Sequence, residues 1–132
     1  MAQKIYRLQR QGNLVTLRAY VADAEGIYRG IRLLIDTGAT YTVLPVEFLK
    51  TLGYDVANSL QKTQVTAAGG HVQVPLVAVK LFSCVGCSVD DFSLVALNLP
   101  LNSVISGLLG MDFLVRHRAI IDTGKAEIWI PD

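Results

Sequence analysis

An aspartate between an apolar run and a Thr-Gly turn is the part of this sequence best suited to chemistry. Asp36 follows the apolar residues 33–35 and precedes Thr37 and Gly38. The apolar run indicates a buried strand, and a threonine followed by glycine is typical of a turn. The pattern therefore predicts a carboxylate at the tip of a loop inside a hydrophobic cleft, where it can give and take protons.

The same Asp-Thr-Gly triplet begins again at Asp122, but the second copy is predicted to form a hairpin turn. It lies between the apolar runs 119–121 and 128–130. An aspartate followed two residues later by glycine is common in such turns. Only eight residues follow Gly124, too few to build a second loop of the Asp36 kind. These features favour one catalytic aspartate per chain over two.

Short strands are predicted for most of the chain, and they would carry Asp36 on an all-β framework. Apolar and polar residues alternate at 15–21, Phe92, Leu94 and Ala96 form another alternating set, and the apolar residues 72, 74, 76 and 78 share one phase. Glycine or proline punctuates the stretches between them. Regular short strands of this kind are typical of a sandwich or a barrel.

Two short helices are predicted to interrupt the strands. Pro45 suits the first helical position, residues 46–52 continue the helix, and Gly53 is a typical C-terminal cap. The second helix is predicted at 111–117, directly after a glycine. Because no linker or low-complexity stretch separates these elements, we expect one domain over 1–132.

The composition excludes several classes of protein. Apolar residues make up 52% and charged residues 17%, which predicts a folded chain with a core. The net charge of +1 argues against a nucleic-acid partner. No apolar run approaches the ~18 residues of a membrane span. The first ten residues lack the apolar core of a signal peptide, so we expect a cytoplasmic protein without a membrane partner.

Cys84 and Cys87 have the spacing of a metal or redox pair. Zinc would need two further ligands, and His71 and His117 belong to separate predicted elements. A redox pair would open a helix, whereas this segment predicts a strand, a turn and a strand. Two free thiols are favoured, with a local disulfide as the alternative. His71 could touch a bound molecule, and His117 is expected to meet the last carbonyl groups of its helix. We therefore expect no metal and no cofactor.

Two motifs, in this order along the chain, resemble the retropepsin-like aspartic proteases. The first is Asp-Thr-Gly-Ala at 36–39, and the second is Leu-Leu-Gly-Met-Asp-Phe-Leu at 108–114. The chain is most similar to the bacterial members and to the protease domain of DNA-damage-inducible, ubiquitin-shuttle proteins, over about residues 15–130. The resemblance implies an all-β, single-lobe acid protease barrel with a short C-terminal helix and a flap hairpin.

The resemblance implies a role for each residue of the two motifs. Asp36 would be the catalytic aspartate, Thr37 would bond to the other subunit beneath the carboxylates, and Gly38 would offer its carbonyl to the substrate. Ala39 would support the site. The second motif would thread through the loop that carries the aspartate and buttress it with Leu108, Leu109 and Gly110.

The resemblance also implies a flap that closes over the substrate. Its tip would consist of Thr66, Ala67, Ala68, Gly69 and Gly70. Small residues let such a tip bend and let its backbone bond to an extended peptide. The chain departs from the family pattern at Thr40, where retroviral members usually carry an aspartate.

The function implied is that of an aspartic endopeptidase acting on a peptide or protein. Two carboxylates about 3 Å apart share one proton, so one can activate water while the other protonates the carbonyl oxygen. Since the chain offers one such residue, Asp36, a homodimer would supply the second. One alternative is a catalytically silent peptide-binding or assembly module on the same fold. Another is an enzyme that works only when fused to, or processed from, a larger chain.

Overall fold

The structure, a computed structural model, describes residues 3–67, 69–101 and 104–132. Eleven strands and two short helices form within these ranges. The strands are β1 Gln3–Arg7, β2 Gln9–Gln11, β3 Leu14–Ala22, β4 Tyr28–Ile35, β5 Val43–Leu44, β6 Lys62–Ala67, β7 Gly70–Cys84, β8 Cys87–Ala96, β9 Gly107–Leu109, β10 Ile120–Asp122 and β11 Glu127–Pro131. The helices are α1 Val46–Thr51 and α2 Met111–Arg116.

Six strands close into a barrel. The larger sheet has the order β2-β3-β4-β9-β5-β8-β7-β6, and β3 also pairs with β7. That additional pairing sets Tyr20 opposite Ser83 and Val21 opposite Phe82, which joins the two ends of the run from β3 to β7. The strands β2 and β6 extend beyond the closed ring. The prediction of an all-β, single-lobe barrel is confirmed.

The barrel interior is filled by one face of each strand, together with α2. Leu17, Ala19 and Val21 of β3 are buried, as the alternation predicts. Helix α2 adds Phe113, which is fully buried with its ring centre 5.5 Å from that of Phe82. Burial of such a ring contributes about 1.5–3 kcal/mol, so α2 is held firmly against the barrel.

Strand β7 confirms the strand predicted at 72–78, but the residues that share one phase there do not form one continuous buried face. Val74 packs in a smaller cluster with Val43 and Val95, whereas Ala78, on the same side of the strand, is exposed. Residues on the opposite side, such as Val79, enter the main core. The buried side of β7 changes along its length because the first part of this 15-residue strand pairs with β6, whereas the later part forms the barrel wall.

Both helices form where predicted, and each ends one residue earlier than expected. Pro45 precedes α1 as its N-cap, with an extended backbone, rather than occupying its first position. Gly53 has a φ of +93°, the left-handed conformation that stops a helix. None of the helices in the described part of the chain is long and apolar enough to span a membrane.

A smaller sheet of order β1-β11-β10 joins the two ends of the chain. Its hairpin confirms the turn predicted at Asp122, whose Oδ1 accepts the amide of Lys125 at 2.9 Å. A second hairpin turn joins β7 to β8 and carries Cys84 and Cys87 directly opposite each other. Both thiols are free.

Candidate functional site

Asp36 is placed by the parallel pairing of two strands that are far apart in sequence. Ile35, at the end of β4, lies opposite Leu109 of β9. The amide of Asp36 donates to the carbonyl of Leu109 at 3.0 Å. Leu109 is fully buried, and its neighbour Leu108 points to the other side of the strand. The two motifs noted in the sequence therefore meet directly behind Asp36.

A tight turn, closed by its own carboxylate, carries Asp36. The amide of Gly38 donates to Oδ1 of Asp36 at 2.9 Å, and the amide of Ala39 donates to the Asp36 carbonyl at 3.1 Å. A Cβ at position 38 would lie 3.3 Å from that carboxylate oxygen. Glycine thus leaves space beside a carboxylate that is only half-buried.

The turn opens into a cleft of about 550 Å³. Among the described residues that line it, Asp36 is the only charged side chain. The walls combine apolar side chains with uncharged polar ones. Its lining consists of Asp36, Gly38, Ala39, Thr40, Tyr41, Val43, Thr63, Gln64, Val65, Thr66, Leu97, Leu99 and Leu108. A lone carboxylate on an uncharged surface of this size can act on a bound molecule rather than serve a structural ion pair.

Strand β6 contributes four consecutive residues, 63–66, to this wall, as a flap would. Its pairing with β7 ends at the tip with Ala67 opposite Gly70. Gly69 lies in open space, since a Cβ there would have no neighbour within 4 Å. The predicted tip residue Ala68 lies outside the described residues.

Side-chain contacts tie the flap to its surroundings. Across the hairpin, Thr66 Oγ1 lies 3.2 Å from Nδ1 of His71. At the base, the hydroxyl of Thr63 donates to the phenol oxygen of Tyr41 at 3.4 Å. Tyr41, which the sequence reasoning did not single out, thus links the loop that carries Asp36 to the flap.

Thr37 faces a different surface from Asp36. It lines a shallow depression of about 300 Å³ formed mainly by α2 and the residues that follow it. The depression contains Met111, Leu114, Val115, Arg118, Ala119 and Ile121. Most of these side chains are apolar, so the outer side of the Asp36 turn adjoins a largely apolar surface.

Thr42 and Asp112 form a polar pair that the sequence reasoning missed. The hydroxyl and the amide of Thr42 donate to Oδ1 and Oδ2 of Asp112, each at 2.8 Å. Burial raises the pKa of the Asp112 carboxyl, although the hydrogen bonds from Thr42 act in the opposite direction. The available signal was an aspartate at the second position of a helix, inside an otherwise apolar motif.

The remaining polar candidates do not join this site. The ring of His117 packs on Phe113 with centroids 4.4 Å apart, and its Nε2 has no hydrogen-bond partner among the described residues. The prediction that His117 meets the helix carbonyls is therefore wrong, because the ring turns toward the core. Burial raises the pKa of the Cys84 thiol. Within the described ranges, no three His, Cys, Asp or Glu side chains are grouped so that they could hold a metal.

Comparison with known proteins identifies the family and the fold of this chain. Residues 19–113 match the family model described as aspartyl protease. A crystal structure of a retropepsin-like aspartic protease from Rickettsia conorii is similar, with a TM-score of 0.68 and 21% identity, covering 98% of this chain and 89% of that one. The retroviral protease-like domain of Ddi1 from Leishmania major is also similar, with a TM-score of 0.54 and 15% identity, covering 83% of this chain and 81% of that one. No curated protein sequence matches. The predicted resemblance is confirmed, and at these identities the two structures establish a likeness of fold.

Proposed function

Because the chain belongs to the aspartyl protease family, we propose that it is an aspartic endopeptidase that acts as a homodimer. A water molecule held between the two Asp36 carboxylates would attack the peptide carbonyl. The observation that carries this proposal is the cleft itself. Asp36 is the only charged side chain among its described lining residues, and the flap strand β6 forms part of its wall.

The reaction needs two carboxylates that share one proton. At about 3 Å apart, like charges cannot both be ionised, so one group is a base while the other is an acid. The base takes a proton from water, and the acid donates to the carbonyl oxygen of the substrate. The amide of Gly38, which donates to Oδ1 of Asp36, orients the carboxylate for this exchange. The shared proton belongs to the pair, since the two groups titrate together.

The second carboxylate is expected to come from another copy of the chain. The cleft contains one carboxylate among its described lining residues, that of Asp36. The other Asp-Thr-Gly aspartate, Asp122, is engaged in a hairpin turn with the amide of Lys125. A two-fold axis brings a residue together with its own copy, so a dimer that places Asp36 near its axis completes the pair.

An apolar surface beside the Asp36 turn is suited to such a dimer contact. Val115 is 63% exposed and Ile120 is 51% exposed, although both are apolar. Val115 lines the same depression as Thr37, which directly follows Asp36 in the chain. Covering this surface with a second copy would remove apolar area from water at a point next to the paired carboxylates.

The substrate is expected to be an extended peptide with uncharged side chains at the cleft. Strand β6 is the last strand of its sheet and pairs with β7 alone among the described strands, so its outer edge can bond to another backbone. Val65, Leu97 and Leu99 give the cleft apolar walls. A charged side chain placed there would lose hydration without meeting an opposite charge.

A peptide library digested by the wild-type protein and by Asp36→Asn tests the reaction. We expect the wild-type protein to cleave and Asp36→Asn to lose at least about 100-fold in rate, because the variant lacks the base. Asp122→Asn is the matched control and should cleave normally. Peptides that bind to the wild-type protein without being cleaved would instead support a binding or assembly module.

The proposed dimer is tested by dilution. Cleavage per subunit should fall below the dimer dissociation constant, and sedimentation should show monomers in the same range of concentration. Full activity in a species shown to be monomeric would contradict the shared site. A cytoplasmic location and one domain over 1–132 stay predictions.

A further inference from the structure

A buried bridge between two polar side chains ties the Asp36 loop to α2. Thr42 has no exposed surface. Its hydroxyl donates to one carboxylate oxygen of Asp112 and its amide donates to the other, both at 2.8 Å. The amide of Gly110 in turn donates to the Thr42 hydroxyl at 3.2 Å. Both oxygens of one carboxylate therefore hold a single residue that lies 70 positions earlier in the chain.

A carboxylate fits this place better than a neutral amide. Oδ1 of Asp112 also accepts the amide of Phe113 at 2.8 Å, so three donor groups converge on its two oxygens. An asparagine would offer one oxygen and one NH₂ group, and the NH₂ group would face a donor. A buried donor left without an acceptor is costly, and bonds to an ionised acceptor are the stronger kind.

The bridge closes the far end of the loop that begins at Asp36. At the near end, the amide of Asp36 donates to the carbonyl of Leu109 at 3.0 Å. At the far end, Thr42 is held by Asp112. Backbone bonds also hold this part of the loop, because the amides of Met111 and Asp112 donate to the carbonyls of Ala39 and Thr40 at 2.8 and 3.1 Å, and the amide of Val95 donates to the carbonyl of Thr42 at 2.9 Å. Residues 109–112 thus hold the loop along its length, and Asp112 is the residue among them that does so through its side chain.

We propose that Asp112 is a positioning residue, which acts through Thr42 to fix Asp36 in the cleft. The kinetic part of this inference rests on the proposed peptidase function. Asp112 is not among the described residues that line the cleft, so it acts without contacting the substrate. Because a misplacement of about 1 Å can lower a rate about 100-fold, a loosened bridge lowers kcat more than it weakens substrate binding.

Three variants and one control test the bridge. Asp112→Asn removes one acceptor, Thr42→Val removes the hydroxyl while keeping the shape, and Thr42→Ser keeps the hydroxyl. Asp122→Asn is the control, because it makes the same change of charge at the hairpin turn. We expect Asp112→Asn and Thr42→Val each to lower kcat by about 10- to 100-fold while KM changes by less than about 3-fold. Thr42→Ser should recover most of the kcat lost in Thr42→Val.

Combining Asp112→Asn with Thr42→Val tests whether the two residues act as one unit. If they do, the double variant is no slower than the worse single variant, because each change already breaks the same bridge. Two losses that multiply would overturn the proposal, since independent damage at two sites has that signature.

Amide hydrogen exchange on the whole chain separates this proposal from the proposed function. In Asp112→Asn, exchange should quicken over residues 36–42 and stay unchanged in the barrel strands. Faster exchange over 36–42 would support the bridge even if the wild-type protein cleaved no peptide. The absence of cleavage would count against the proposed peptidase function and not against the bridge. Unchanged exchange over 36–42, or equal acceleration throughout the chain, would overturn the proposal. If Asp112→Asn does not fold, Thr42→Val is measured in its place. If neither variant folds, the bridge is needed for the fold itself, and the proposal of a positioning role is overturned.

Discussion

Replacing Gly110 with alanine is expected to cost both stability and activity, because the new methyl group has no room. A Cβ at this position would lie 2.5 Å from the carbonyl carbon and oxygen of Tyr41 and 2.9 Å from the amide nitrogen of Thr42. All three are backbone atoms, so no side-chain rotation relieves the collision. The backbone of Gly110 has a φ of −99°, which suits any residue. The whole cost therefore arises from this contact.

The displacement that the methyl group requires sets the magnitude. Since ordinary contacts begin near 3.4 Å, the two backbone segments must separate by about 0.9 Å. Overpacking costs about 1–3 kcal/mol, and we expect the upper part of that range because backbone must move. Tyr41 and Thr42 belong to the loop that begins at Asp36. A shift near 1 Å in a reacting group lowers its rate by about 100-fold.

Urea unfolding measures the loss of stability, and kcat/KM for peptide cleavage measures the loss of activity. Gly124→Ala is the matched control, because its Cβ would meet Oδ1 of Asp122 at 3.5 Å, an ordinary contact. We expect Gly124→Ala to change the free energy of unfolding by no more than about 0.5 kcal/mol. Equal unfolding free energies and equal rates in Gly110→Ala and Gly124→Ala would refute the steric reasoning.

Three further predictions concern sites away from the cleft. Asp122→Asn should still cleave peptides, and urea unfolding should show a loss of at most about 1 kcal/mol in the free energy of unfolding, because the Asp122 carboxylate accepts a single exposed hydrogen bond in a turn. Loss of activity in the folded variant would contradict this. Phe113→Ala should lower the free energy of unfolding by about 3–5 kcal/mol in the same assay, because its ring is fully buried and its centre lies 5.5 Å from that of Phe82 and 6.4 Å from that of Phe92. A loss under about 1 kcal/mol would show instead that the core closes around the gap. The amide of Ile27, with other hydrogen bonds and an arginine, holds the pKa of Asp23 below its usual range. The stabilisation from Asp23 is therefore present above its unfolded pKa and lost as pH falls through its folded pKa. Asp23→Asn should flatten the acid side of a plot of stability against pH, and an unchanged slope would count against this assignment.

The strands and turns of this chain could be predicted because the signals for them are local. Alternation at 15–21 predicted a strand that the structure extends to Leu14–Ala22. The turn at Asp122 depends on residues within three positions of one another. Helix ends were predicted to within one residue, because Gly53 adopts the left-handed conformation that ends α1. Signals of this kind act over a few residues and do not require knowledge of the packing.

Predictions that depended on packing were less successful. The buried face of β7 changes along its length, since the strand leaves the flap and enters the barrel, and a period-2 pattern cannot show where a partner strand ends. His117 turned toward Phe113 because the core offers its ring an apolar surface. The position of His117 at the end of its helix had predicted contact with the last carbonyl groups of that helix instead.

Residue order was enough to identify the two motifs around Asp36 and Gly110, the all-β pattern and the difference between the two Asp-Thr-Gly triplets. What those motifs contact became visible only in the folded chain. The pairing of Ile35 with Leu109 brings segments some 70 residues apart into register, and Thr42 meets Asp112 only through that register. The cleft, too, exists only once β6 lies beside the Asp36 loop. A residue's type limits which bonds it can make, whereas closure of the chain over long separations decides which partner is within its reach.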